Sequence, residues 1–205
     1  MAVDDSNDAR ASGVEDDVGR AGLARVEAGD DALQIERLIA GGQHREALAS
    51  CARAYSLPLG RLCMAFTGSQ AESEELVQET LIAAYGAFAQ FRGDGSVRAW
   101  LFGIARRICG RHTELRQRRE SRLKLVHDTG RGLDAAELSL LRERAERARA
   151  ALAKLKPSER EAVVLRYEAE LSFREVAEAS GVDEAAARKR VSRALARLRA
   201  DLGEE

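Results

Sequence analysis

Between residues 71 and 90 the positions Leu76, Thr80, Ala84 and Phe88 recur every four residues, with Val77, Leu81 and Tyr85 in the neighbouring row. Both rows fall on one side of a helix and predict a wide buried stripe over Ala71 to Gln90. Glu72, Glu74 and Glu75 crowd the first turns, where the helix dipole favours acids. A second pattern of this kind runs from about Val97 to Arg119. There Trp100, Leu101, Ile104, Ala105 and Ile108 share a face, Arg106 points away from it, and Arg107 and Arg111 flank one edge. On this reading Trp100 is mainly a core residue. Between the two helices lies a short polar loop, Arg92 to Ser96, with two glycines.

The remaining chain reads the same way. A helix over Asp31 to Ala40 ends at Gly41-Gly42, and residues 44–67 look helical with an expected break at Pro58. Residues 120–133 (ESRLKLVHDTGRGL) are polar, contain glycine and read as a linker. A helix from Asp134 to Lys154 follows, with Asp134 and Glu137 as an N-cap pair and Leu138, Leu141, Ala145, Ala148 and Leu152 on its inner side. Two Ser-x-x-Glu patterns, Ser158–Glu161 and Ser172–Glu175, each predict a capped helix start. The helix from Phe173 is short and stops at Ser180-Gly181. Asp183 caps a longer helix reaching about Leu202, and Val176, Val182 and Val191 fill the angle between the two. Helix, glycine turn and longer basic helix make a helix-turn-helix, whose second helix can enter a major groove.

No window shows sustained β-type alternation, only two prolines occur, and Ala, Leu, Arg and Glu dominate. The fold class is therefore all-α. Aromatic content of 4% is low for one large core and suits two small helical domains joined by a flexible linker. The division expected is 1–40 as an acidic, partly disordered extension, 41–119 as the first domain, 120–137 as linker and 138–205 as the second domain.

Charge changes the picture more than composition does. The formal net charge is −1, but residues 92–124 hold ten basic and three acidic side chains, and residues 183–199 hold six and two. Two separated basic segments suggest two contacts on a polyanion; a solvated helix face is the plainer reading. Residues 1–40 are acidic, with ten acids against four bases. Cys51, Cys63 and Cys109 are scattered, with no CxxC, and read as buried reduced thiols of a cytoplasmic protein. Cys109 and His112 could share a helix face, but two further metal ligands are not in view. The N-terminus does not read as a signal peptide, and the longest apolar run, Leu81 to Ala89, is too short to span a bilayer, so no membrane insertion is expected.

Two stretches in order carry a family resemblance. "AESEELVQETLIAAYGAFAQFRGDGSVRAWLFGIARR" resembles region 2 of bacterial RNA polymerase sigma factors, and "LAKLKPSEREAVVLRYEAELSFREVAEASGVDEAAARKRVSRALARLRADL" resembles region 4. The linker is too short for a region 3, which is similar to the extracytoplasmic-function group of the sigma-70 family. The resemblance covers about residues 45–119 and 138–202.

It implies core RNA polymerase as partner, through the largest subunit's coiled coil and the flap. Leu76, Val77, Gln78 and Glu79 match the segment that docks on that coiled coil. Leu76 and Val77 are expected to pack inward, with Gln78 and Glu79 facing the polymerase. Arg92, Gly93, Asp94, Gly95 and Ser96 match the loop that captures a base flipped from the single-stranded minus-ten element. Arg106, Arg107 and Arg111 would hold that strand by its phosphates. Glu184, Ala185, Arg188, Lys189, Ser192 and Arg193 lie where the family reads minus-thirty-five duplex.

Two departures stand out. Arg107 and Arg111 replace a frequent Asn and Asp, which favours plain phosphate contact. Ala186-Ala187 replace a frequent Thr-Val, so a hydroxyl contact to phosphate is lost. Glu184 could accept from a cytosine amino group or be a dipole-favoured surface residue. The resemblance also implies an anti-sigma partner and no cofactor. The resulting expectation is a sigma factor, not an enzyme, acting on promoter DNA both duplex and single-stranded. A helix-turn-helix regulator working without polymerase is the alternative, and it leaves residues 71–111 unexplained.

Overall fold

The computed structural model describes residues 30–123 and 136–203. Among them the only regular structure is helical. The order is α1 (30–40), α2 (His44–Thr67), α3 (Gln70–Ala87), a 3-10 turn (Phe88–Gln90), α4 (Val97–Leu123), α5 (Ala136–Lys154), α6 (Pro157–Tyr167), α7 (Phe173–Ser180) and α8 (Glu184–Leu202).

The first four helices form one unit. Gly42, at a φ of 72°, ends the first turn out of α1, a left-handed conformation that glycine adopts without strain. α2 does not break at Pro58. The proline sits inside a continuous helix, at a cost of about 3 kcal/mol. Leu59 and Leu62 on the same helix are fully buried, and each burial stabilises by about 1.5–3 kcal/mol. Tertiary packing therefore outweighs the break. α3 is capped by Ser69, which accepts from Glu72 N, and is tied to α2 by Ser73 Oγ donating to Gly60 O at 2.9 Å. Its first row, Leu76, Thr80, Ala84 and Phe88, is buried as expected. The neighbouring row is not: Val77 and Leu81 are half-buried and Tyr85 is exposed, because α2 and α4, the helices packed on α3, cover the Leu76 side. α4 runs on to Leu123, past the expected end at Arg119, through helix-favouring residues.

The second unit is α5 to α8. The segment between the units, residues 124–135, lies outside the described residues, as do Asp134 and the acidic residues 1–29. The inner face of α5 differs from expectation. Leu152 is half-buried against the core as expected, but Ala148 is exposed and Ala151 is the buried position, with Leu155 buried just past the helix end; the side chains of Leu138, Leu141 and Ala145 are outside the description. α6 does not use the Ser158–Glu161 box. Pro157 occupies the first turn behind Lys156, with no side-chain cap, because proline's fixed φ already suits that position. Glu161 is left free to face the first unit.

The start of α7 does form the reciprocal capping box: Ser172 N donates to Glu175 Oε2 at 2.8 Å and Glu175 N donates to Ser172 Oγ at 3.2 Å. Gly181 makes the tight turn at a φ of 65°, and Asp183 accepts from Ala186 N at 2.6 Å to open α8. Buried Val176 and Val191 and half-buried Val182 fill the angle between α7 and α8. Glu159 of α6, almost wholly buried, pairs with Arg197 of α8 at 2.7 Å and staples the unit.

The units touch. α7 lies on α4 so closely that a Cβ added to Gly103 would stand 3.2 Å from Ala179 O. Arg160 of α6 donates to Ala65 O at 2.8 Å and stacks 4.9 Å from the Phe66 ring centre. Burial lowers its guanidinium pKa, with neighbouring Arg116 adding to the shift.

Candidate nucleic-acid interface

The loop between α3 and α4 is shaped by three local features. Gly93 takes a φ of 73°. Ser96 Oγ accepts from Ala99 N at 3.0 Å, which caps α4 as Ser does at helix starts. Glu36 of α1 accepts from Val97 N at 2.9 Å, a second cap that no local pattern signals because it arrives from 61 residues away. Arg92, Gly93 and Asp94 are exposed, and Gly95 and Ser96 are half-buried.

Together with Gln90, Phe91, Trp100 and Glu178, the loop encloses an open cleft of about 360 Å³. Trp100 differs from expectation. It is packed against the core but only half-buried, with its ring 5.9 Å from Phe88 in a stacked arrangement and 5.3 Å from Phe91 edge-on. Phe88 takes the core place, and the tryptophan becomes the wall of the cleft.

A larger cleft of about 730 Å³ shares Gln90 and Trp100 with the first and continues along α4 past Arg106, Arg107 and Arg111. Arg107 and Arg111 are exposed; Arg111 reaches Glu79 at 3.5 Å across the surface. Arg106 is half-buried and engaged by Glu161 at 2.9 Å and Ala179 O at 3.2 Å. Of the three arginines expected to hold a strand, Arg107 and Arg111 are exposed, Arg111 with Glu79 beside it, and Arg106 is engaged.

On α3, Leu76 is buried, Val77 half-buried, and Gln78 and Glu79 exposed. Ile82, 71% exposed, and Tyr85 lie one and two turns further along the Gln78 face. Periodicity places Tyr85 inside and does not single out Ile82; an apolar residue outside a four-residue row is the available signal.

On α8, Glu184, Ala185, Arg188, Lys189, Ser192 and Arg193 are all exposed, while Ala187, Val191 and Ala194 are buried. Arg188 is held in place: Nε donates to Glu184 Oε1 at 3.2 Å, and the guanidinium lies 4.4 Å from the Phe173 ring centre. In this state Glu184 spends its carboxylate on Arg188. Neither Phe173 nor this fixing was anticipated.

The thiols lie away from these surfaces. Cys63 and Cys109 face each other at 3.5 Å in the core, while His112 turns to Glu72, so Cys109 and His112 do not share a partner. Burial pushes the Cys51 thiol up to about 11. The Cys109 thiol is also raised, by its hydrogen bond with Cys63 and by burial. No helix among the described residues is long and apolar enough to cross a membrane.

Comparison with known proteins bears on both units. Residues 51–120 match the family model Sigma-70 region 2, and residues 145–198 match Sigma-70, region 4. The RNA polymerase sigma factor NccH of Alcaligenes xylosoxydans xylosoxydans is 31% identical over 188 residues, covering 87% of this chain and 91% of that protein. The ECF RNA polymerase sigma factor SigG of Mycobacterium tuberculosis is 46% identical over 57 residues, 28% of this chain, and the match spans only 15% of SigG. Among solved structures, the sigma factor RpoE in complex with the anti-sigma factor NepR from Bartonella quintana is 27% identical. It superposes with a TM-score of 0.55, covering 73% of this chain and 93% of that one. With both units matched in order and a full-length relative above 30% identity, the chain belongs to the sigma-70 family of RNA polymerase sigma factors, in its extracytoplasmic-function group.

Proposed function

We propose that this chain is an alternative sigma factor: it binds core RNA polymerase, directs it to particular promoters and assists strand opening. The observation that supports the reading is the presence, on one chain, of two separate elements whose shape and charge suit DNA. One is the glycine loop 92–96, walled by Trp100 over a cleft large enough for a nucleobase. The other is the exposed basic face of α8 behind its capped start. A flipped base loses stacking worth a few kcal/mol, so it needs a shaped pocket with an aromatic wall and close backbone approach. A duplex site needs a rigid helix with exposed Arg, Lys and Ser side chains. Linked on one chain, two individually weak contacts reinforce each other because the second becomes intramolecular.

In this reading Gln78 and Glu79, with Ile82 beside them, face the polymerase. Loop 92–96 with Arg107 and Arg111 takes the single-stranded minus-ten element. Arg188, Lys189, Ser192 and Arg193 take the minus-thirty-five duplex. The chain acts as a regulatory subunit with no chemistry of its own, and an anti-sigma protein is its expected inhibitor, by analogy with the RpoE–NepR pair.

Run-off transcription with core polymerase on a genomic promoter library tests this. Discrete transcripts that depend on the chain support it. Promoter binding without polymerase association or transcription favours an ordinary helix-turn-helix regulator instead.

A further inference from the structure

Two residues line both clefts, Trp100 and Gln90. A base that leaves a strand held along Arg107 and Arg111 and enters the loop therefore meets both. Trp100 offers the face of an indole, whose place is set by Phe88 and Phe91. A face takes any base, because every base has a π-surface. Gln90 offers an edge. It closes the 3-10 turn Phe88–Gln90, is exposed, and its side-chain amide makes no hydrogen bond among the described residues.

The other polar groups around the clefts cannot read both halves of a base edge. Ser96 spends Oγ on Ala99 N, and its own N–H donates to Glu178 at 3.3 Å. The arginines lining the clefts only donate, and the carboxylates only accept. Among the described residues, Gln90 is the one lining side chain that presents a donor and an acceptor side by side with neither engaged.

We propose that Gln90 is the specificity-determining residue of the loop site: its amide pairs with the edge of the base stacked on Trp100 and selects adenine or cytosine. The proposal rests on the reading above that the loop takes an extruded base. Both of these bases carry an exocyclic amino group beside an unprotonated ring nitrogen. The Gln90 carbonyl accepts from the amino group while its NH2 donates to the ring nitrogen, a bidentate match of the kind glutamine makes with adenine in duplex DNA. Guanine and thymine also present one donor and one acceptor, and a rotated amide meets them too. Asp94 decides against those two. Its exposed carboxylate lines the same cleft, accepts only, and repels the carbonyl oxygens that guanine and thymine place beside their ring N–H. An amino group at that edge is attracted instead. Trp100 then sets how tightly an extruded base is held, and Gln90 sets which base it is.

The test uses the chain reconstituted with core RNA polymerase. The probe is a fluorescein-labelled fork built from a promoter found by the run-off assay, with a minus-thirty-five duplex and a single-stranded minus-ten segment. Each single-stranded position carries each of the four bases in turn. The parent should favour adenine or cytosine at one position by roughly tenfold, within the range of a bidentate base contact. Gln90→Met keeps the shape and removes both hydrogen bonds, and Gln90→Ala removes the side chain beyond Cβ. Both should flatten the preference at that position and leave the other positions and the duplex contact unchanged. Helicity and urea midpoint should match the parent, because Gln90 is exposed. Removing the exocyclic amino group from the preferred base should cost the parent the same factor and cost Gln90→Met nothing further. A preference that survives in Gln90→Met overturns the proposal. So does a preference for guanine or thymine at the Gln90-dependent position, and so do losses from variant and base analogue that add. A parent with no preference at any single-stranded position fails one step earlier, at the reading of the loop as a base site, and takes the proposal with it.

Discussion

Replacing Arg188 distinguishes base reading from simple charge attraction. Its guanidinium is fixed from two sides, by Glu184 one turn earlier and by the Phe173 ring 4.4 Å away. An exposed i,i+4 pair contributes about 0.3–0.5 kcal/mol, and an exposed cation–π contact about 0.5–1 kcal/mol. Together they hold the fork with roughly 1 kcal/mol, enough to favour one orientation and small beside a bidentate contact to a base, about 1–3 kcal/mol. An arginine on such a perch suits guanine, whose O6 and N7 accept both N–H groups.

The expected series follows from that geometry. Arg188→Ala should weaken binding to a selected minus-thirty-five duplex by about 1–3 kcal/mol, at one base position only. Arg188→Lys should recover little, since an ammonium cannot make the forked contact. Phe173→Ala should lose about 1 kcal/mol at the same position, because the fork loses its support. Fluorescence anisotropy against single-base-substituted duplexes, repeated across salt concentrations, reads all three. A loss spread evenly over every sequence, with a salt slope lower by about one, marks a phosphate contact instead. Full affinity in Arg188→Ala would reject α8 as the reading helix.

Three further outcomes follow from other parts of the chain. Replacing Gly93-Asp94-Gly95 by three alanines forces a side chain onto the left-handed φ of Gly93; it should spare polymerase binding but impair strand opening, and normal permanganate reactivity of the melted thymines would contradict this. Glu159→Gln should destabilise the chain by about 1–2 kcal/mol, toward the low end because Arg197 is half-exposed and can be solvated; a urea midpoint unchanged at constant slope would refute it. The Cys51 thiol, held at about 11 by burial, is raised above its unfolded value. Its contribution to stability is therefore present below the ordinary thiol range and is lost as pH rises toward 11. Denaturation midpoints that do not fall over that alkaline window in the parent, relative to Cys51→Ala, would count against it.

The elements most legible in the sequence are those whose signals are local. The capping box at Ser172, the left-handed Gly181 and the Asp183 cap lie within a dozen residues, and each forms as the pattern implies. The Ser158 box looks just as good on paper and does not form, because Pro157 one position earlier already satisfies the helix start. Pro58 does not break its helix for the opposite reason: the burial that overrides it comes from packing of α2 against α3 and α4, which no pattern around Pro58 signals. Trp100 packs on the core as its face implies, but periodicity does not say which residue reaches the rim; its position there is set by Phe88 and Phe91 from the preceding turn. The candidate site divides likewise. The exposed row on α8 follows from one helix's period, whereas Glu36 capping α4 and Glu178 at the loop arrive from 61 and 82 residues away. No spacing rule reaches that far.

Charge along the chain acquires a spatial meaning from the same contacts. Residues 157–180 hold six acidic and three basic side chains, lying between the two basic segments. Three of those acids, Glu161, Glu175 and Glu178, turn toward the first unit. They occupy Arg98, Arg106 and the loop, and leave Arg107, Arg111, Arg118 and Arg119 exposed. The acidic residues 1–29, with seven acids against three bases, can compete with DNA only for that exposed set. Competition between a charged tail and exposed arginines is screened within about 8–10 Å at physiological salt, whereas the half-buried pairs under α7 are screened much less. Deleting residues 2–29 should therefore raise the free chain's affinity for DNA modestly at low salt, and the gain should vanish as salt rises. Fluorescence anisotropy of the parent and the deletion in one salt series reads this, and a deletion effect that does not shrink as salt rises would refute the assignment of the tail to the exposed arginines.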